Sequence, residues 1–264
     1  MTLYNSSEYR VVPLVKSIQG DFDALNRVLS LVGVSVDSMP LTYFYGANEK
    51  KLKPTKQHLL ALIDHIRDRD HYELKKEKES YLSSLGSRPE RQTLFFGSKE
   101  ERAMIAEEAK ALIEKNYDSL SANSRRWFSF EAYTHPDLFI EGEDYIILCE
   151  AKWTERGITK HTTHLCANEE QRSQMIRHIQ GALNYSDKRI IAFYIVDAEC
   201  KYLRNVTKEV FSEDIAKETI HISSEERKRI VDSFYGYTTW QDIKKLIPDV
   251  AFLSKEEIDS ARKS

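Results

Sequence analysis

Pro136-Asp137-Leu138-Phe139-Ile140-Glu141-Gly142-Glu143-Asp144-Tyr145-Ile146-Ile147-Leu148-Cys149-Glu150-Ala151-Lys152 is the stretch that decides the fold. Phe139 and Ile140 lead into Gly142-Glu143, a pair suited to a two-residue turn with glycine first, and Tyr145 to Trp153 is a β-rich return strand. Counted back from that turn, Glu141 faces Asp144 and Asp137 faces Leu148. Glu150 is then the diagonal neighbour of Asp137 on one face of the hairpin, and the period of two adds Lys152 to that face. Diagonal neighbours lie about 7–8 Å apart at the backbone. Two carboxylates at that separation can reach one divalent ion between them. The run Tyr145-Ile146-Ile147-Leu148-Cys149 is apolar without alternation, the pattern of a strand buried on both faces, so Glu150 and Lys152 need partners or a metal.

The same residues resemble the PD-(D/E)XK nuclease superfamily, whose pattern is Pro-Asp, a short run, and then Asp/Glu-X-Lys. Here the pattern is Pro136-Asp137 followed by Glu150-Ala151-Lys152, and the likeness extends loosely from Ser98 to Glu199. It implies an α/β protein with a restriction-endonuclease-like mixed β-sheet core flanked by helices, plus helical N- and C-terminal additions. It further implies a metal-dependent nuclease that hydrolyses phosphodiester bonds, with DNA as the expected substrate. Asp137 and Glu150 would hold Mg²⁺ or Mn²⁺ together with the backbone carbonyl of Ala151. Lys152 would orient or deprotonate the attacking water and offset the charge that develops on the phosphoryl group. The alternative is a catalytically silent nucleic-acid-binding or assembly module of the same fold.

Superfamily members often carry a further acid on a helix before the hairpin. Ser98-Lys99-Glu100-Glu101 is a capping box that starts a helix running to about Asn116. On it Ile105, Ala109, Leu112 and Asn116 share a face, with Glu108 at its margin and Glu101 on the same side. Glu108 is therefore the matching metal-ligand candidate, or else a boundary residue whose head is wet. After the hairpin, a helix with the stripe Met175, Ile176, Ile179 and Leu183 offers Arg172, Gln174, Arg177 and His178 as phosphate-side donors. Some branches place Tyr four residues after Gln on this helix; here His178 stands in that place. Lys160, His161, His164, Lys188 and Arg189 could extend a positive strip. His161, His164 and Cys166 fall short of the four ligands of a closed zinc site.

At 264 residues and 41% hydrophobic content the chain can bury a substantial core. Three regions are expected: a helical one over 1–90, the catalytic core over 91–200, and a helical extension over 201–264 packed on that core. Helices are expected from Asp21 to Leu31 and after Pro54, and the caps Ser223, Thr239 and Ser254 start three more. Tyr235, Tyr237 and Trp240 between these are either a packing cluster or a base-stacking surface. Arg189 to Val196 reads as a buried strand. The formal net charge of −3 provides no global basic field, so nucleic acid must be met by a local patch. Three widely spaced cysteines, Cys149, Cys166 and Cys200, fit a reducing cytoplasm. The expected partner is nucleic acid, DNA first, with no membrane and with a homodimer open. No phosphate-binding glycine loop, nucleophile elbow or dinucleotide fingerprint is present.

Overall fold

A computed structural model of the chain describes residues 5–68, 88–121, 126–153, 160–161, 172–201, 203–217 and 222–263. The fold is α/β, built on a five-stranded mixed sheet. A π-helical turn, Ser7–Val11, runs into α1 (Val12–Ile18), and α2 spans Phe22–Ser30. They are followed by β1 (Thr42–Tyr45) and by the helices α3 (Lys56–Asp68), α4 (Pro89–Phe96) and α5 (Lys99–Asn116). The hairpin is β2 (Leu138–Glu141) and β3 (Tyr145–Ala151). A two-residue pair, β4 (Lys160–His161) with β5 (Arg172–Ser173), precedes α6 (Gln174–Tyr185) and β6 (Arg189–Val196). The chain then forms α7 (Lys208–Lys217), α8 (Ser224–Asp232), β7 (Phe234–Thr239), α9 (Trp240–Leu246) and α10 (Lys255–Lys263).

Strand order is β1-β2-β3-β6-β7. The first two pairings are antiparallel and the last two parallel. β3 is buried along its whole length, as its unbroken apolar run demands. Its odd residues Tyr145, Ile147, Cys149 and Ala151 join one core with α1, α2 and α9, while Ile146 and Leu148 join another with α6, α7 and α8. The sheet is thus a central layer between helices. A third cluster, of α3, α4 and α5 with Phe128 and Phe130, lies outside both sheet cores.

Three expectations change. The observed register pairs Leu138 with Cys149 and Glu141 with Ile146, so Gly142 N–H bonds Tyr145 O (2.9 Å) and Glu143-Asp144 form the turn. Extended by one residue, this register sets Asp137 opposite Glu150 rather than diagonal to it. Gly142 is required for a different reason than its turn position: a Cβ there would lie 2.3 Å from the Tyr145 ring. Secondly, the edge strands β1 and β7 come from 1–90 and 201–264, regions read as helical. Aromatic β-formers decide both strands, Tyr43-Phe44-Tyr45 and Phe234-Tyr235-Gly236-Tyr237. The sheet therefore reaches beyond 91–200 at each end. Thirdly, Tyr235 and Tyr237 lie on a strand rather than between helices; both pack on the sheet cores as the packing reading expects, and Trp240 is buried with its indole N–H on Lys152 O (2.9 Å). The expected helix caps form: Ser98, Ser223, Thr239 and Ser254 each accept a backbone N–H three residues on. Residues 69–87 lie outside the described residues.

Candidate active site

Parity on the sheet places the site. Glu150 and Asp137 fall on the α6 side, at the carboxyl end of β3, beside the parallel pairing with β6 where open α/β sheets commonly take ligands. Glu150 is only 1% exposed, so its charge must be met. Lys152 Nζ lies 2.5 Å from its Oε1 and His178 Nε2 2.9 Å from its Oε2. Burial, followed by the charges of Arg177 and Lys152, holds His178 well below the usual imidazole range. The ring is therefore neutral, with its Nε2–H donated to the carboxylate, and Nδ1 accepts the Thr134 hydroxyl at 2.6 Å. Thr134 is fixed in turn by two 2.9 Å backbone bonds to Leu52.

Asp137 uses Oδ2 to accept the Ala151 N–H at 2.8 Å, which ties the start of β2 to the end of β3. The third carboxylate is one that sequence reading missed. Glu49 follows the 3₁₀ turn Gly46–Asn48, and burial, then the charges of Asp137 and Glu150, push its carboxyl up to about 7. His135 Nδ1 stands 3.8 Å from it. The same carboxylates help raise the buried Cys149 thiol, after burial itself. Glu49, Asp137 and Glu150 thus share one electrostatic environment with Lys152. Among the described residues, no three His, Cys, Asp or Glu side chains already surround one point in the manner of a metal site. Lys152 and His178 occupy Glu150 instead.

The strand end carrying these groups is clamped from both termini. Ser6 Oγ donates to Ala151 O (3.0 Å), Lys152 N–H to Ile195 O (2.8 Å), and the Arg10 guanidinium stacks 3.6 Å above Trp153. Arg10 also donates to Leu253 O at 2.7 Å. The Ala151 carbonyl, expected as a metal ligand, is engaged by Ser6.

Glu108 is not brought to the cluster. The buried stripe of α5 is Ile105, Ala106, Ala109 and Ile113, one step round from the expected face, and this turns Glu108 into solvent. Glu101 is spent on the capping box, accepting the Ser98 N–H at 2.8 Å. Two of the expected substrate contacts are structural instead. Arg177 Nε donates to Glu131 Oε1 (3.0 Å) and its guanidinium to Ala132 O, while His58 Nε2 meets Glu131 Oε2 at 2.7 Å. This triad, with His58 and Glu131 buried and Arg177 at their edge, anchors the segment that carries Thr134, His135 and Asp137. His178, fully buried, holds Glu150 and cannot reach solvent. Gln174 opens α6 with Oε1 buried and unpartnered among the described residues. The side chains of Lys160, His161 and Arg172, and all of His164 and Cys166, lie outside the description. Lys188 pairs with Glu141 (2.8 Å), away from Glu150, and Arg189 is exposed.

Comparison with protein-family models, curated proteins and solved structures finds no match to this chain. Among the described residues, no helix is long and apolar enough to cross a membrane.

Proposed function

We propose that this chain is a metal-dependent phosphodiesterase acting on DNA, on a restriction-endonuclease-like core. The observation that carries the reading is that Asp137 and Glu150, opposite one another at the carboxyl end of β3, act electrostatically on Glu49, with Lys152 paired to Glu150. Burial first, and then the charges of Asp137 and Glu150, raise the Glu49 carboxyl, and a cation shared by the three carboxylates would offset the repulsive part of that cost. The donor set is all oxygen, which suits Mg²⁺ or Mn²⁺ rather than zinc. Glu49, Asp137 and Glu150 would hold the ion, whose chemistry is to acidify water and neutralise phosphate charge. Lys152 would offer its positive charge to the phosphate as an ammonium, or, as the neutral amine, accept the proton of the attacking water. His178 keeps Glu150 oriented through a neutral tautomer that Thr134 enforces. Asp137 locks the two strand ends together.

A second reading has its own observation. Both Glu150 oxygens and the Ala151 carbonyl are already engaged within the chain, an arrangement that equally suits a silent nucleic-acid-binding module. Incubation with plasmid, linear and single-stranded DNA, and with RNA, with and without Mg²⁺ or Mn²⁺, separates the two. Cleavage that requires the ion and is lost in Asp137→Ala supports the enzyme. Salt-sensitive binding without cleavage supports the module.

A further inference from the structure

The chain entering the site reads Glu49-Lys50-Lys51-Leu52-Lys53-Pro54. Leu52 is 1% exposed and pinned by its paired bonds to Thr134, so the extended ribbon alternates about it. Lys50, two residues earlier on the Leu52 side, lies over Tyr185 (4.0 Å), Phe44 (4.8 Å) and Phe139 (5.4 Å). Lys53 lies 4.0 Å over the Tyr117 ring. Lys51 is exposed, and its charge helps depress His135, the neighbour of Glu49. Lys56 and Lys188 each pair with a carboxylate. Lys50, Lys51 and Lys53 close no ion pair among the described residues.

The rings beneath these lysines are themselves held. Tyr117 donates its hydroxyl to Pro54 O (3.0 Å) and accepts from Asn184 Nδ2 (2.9 Å). Tyr185, 45% exposed, donates to Glu141 Oε2 (3.1 Å). Glu141 acts on Lys50 and Asp118 on Lys53 at longer range, and the rings keep both cations in place without themselves neutralising them.

We propose that Lys50, Lys51 and Lys53, with the rings of Tyr117 and Tyr185, form a track that holds a single-stranded segment of nucleic acid leading into the Glu49, Asp137 and Glu150 cluster. This rests on the reading that the cluster handles phosphodiesters. The chain as a whole is acidic, so the attraction must be local, and of the two arginines expected to provide it Arg177 is spent on Glu131 while the Arg172 side chain lies outside the described residues. Lys51 and Lys53, alternate residues on the side away from Leu52, repeat at ~6.6 Å where the chain is extended, a spacing suited to two successive phosphates, while Lys50 on the other side adds its charge over the Tyr185 ring. An exposed tyrosine beside them suits an unpaired base, which presents its flat face.

The test measures binding of a fluorescein-labelled oligothymidylate of about 20 nucleotides, and of a duplex of equal length, by anisotropy over a salt series in EDTA. The full chain is compared with K50Q/K51Q/K53Q and K50R/K51R/K53R. Each lysine lost from a single strand should reduce the log–log salt slope by about 0.7. The triple glutamine variant should therefore lose about 2 units of slope and bind about 100-fold more weakly near 0.1 M salt. The arginine variant should bind as the parent does, which a purely structural role of the lysine stems would not require. Parental slope and affinity in the glutamine variant would overturn the proposal, as would absence of single-strand binding by the parent or a loss confined to the duplex. Lysine-dependent binding by a parent that never cleaves would uphold the track and remove the enzymatic reading. Unchanged binding and cleavage by the glutamine variant would do the reverse.

Discussion

Replacing Glu49 with Gln should make the metal-free protein more stable at high pH while weakening its hold on Mn²⁺. The structure raises this carboxyl from 4.5 to about 7, chiefly by burial and then by Asp137 and Glu150. A raised carboxyl favours folding through its protonated form. That contribution is complete below about 4.5 and is lost as pH rises through about 7. The full shift corresponds to about 3.4 kcal/mol at 1.36 kcal/mol per unit. The Glu49 side chain is 31% exposed, so solvent screening reduces this to about 1 kcal/mol. Urea unfolding in EDTA at about pH 5 and about pH 8 should therefore find Glu49→Gln gaining about 1 kcal/mol on the parent between the two, or about 2–4 °C in Tm. Calorimetry with Mn²⁺ should find affinity reduced by at least about tenfold, since the loss of even an outer partner of a ligand costs that much. A variant that tracks the parent at both pH values and binds Mn²⁺ equally well would show that Glu49 is a solvated residue outside the cluster.

Three other substitutions probe the surrounding contacts. Lys152→Met should bind DNA and Mn²⁺ nearly as the parent does yet cut about 10²–10⁴-fold more slowly in single turnover; parental turnover would remove Lys152 from the chemistry. His178→Phe deletes the donor to Glu150 Oε2 and strands the Thr134 hydroxyl, costing about 2–3 kcal/mol in urea unfolding. Because the native ring resists protonation while the unfolded one does not, parental stability should also fall as pH drops below 6.5, and that fall should shrink in the variant. A variant within about 0.5 kcal/mol of the parent would mean that His178 does not hold Glu150. Gly181→Ala sets a Cβ 2.8 Å from Leu52 Cβ; overpacking of about 1–3 kcal/mol should exceed the gain in helix propensity of about 1 kcal/mol, so thermal melting should show a net loss. A rise in melting temperature would show that the Leu52–Thr134 bridge moves at no cost.

How much of this was legible in the sequence depends on how far apart the interacting residues lie. Within the hairpin, the period of two and the apolar run were enough to set Asp137, Glu150 and Lys152 on one face, even though the turn was read one residue early. A register error of that kind moves both strands together and preserves parity, so Asp137 slid from diagonal to directly opposite without changing sides. The same local logic named the helix caps, which depend on residues three apart. Glu49 was not legible, because nothing local connects it to Glu150 a hundred residues later. It reaches the cluster only because β1 adds to β2 and Leu52 bridges Thr134, pairings that a short aromatic run does not announce. The α6 donors failed for the complementary reason. His178 and Arg177 are polar, and polarity suggested solvent, but α6 lies so close to the Leu52–Thr134 bridge that only glycine fits at 181. His178 persists at that depth as the partner of buried Glu150, and the largely buried Arg177 as the partner of buried Glu131. One buried acid thus holds the site and the other anchors the segment that delivers Thr134 and Asp137 to it. Arg177 and His178, adjacent in sequence, divide those two tasks between them, so substituting Arg177 should disturb Asp137 through the backbone before it alters any contact with substrate.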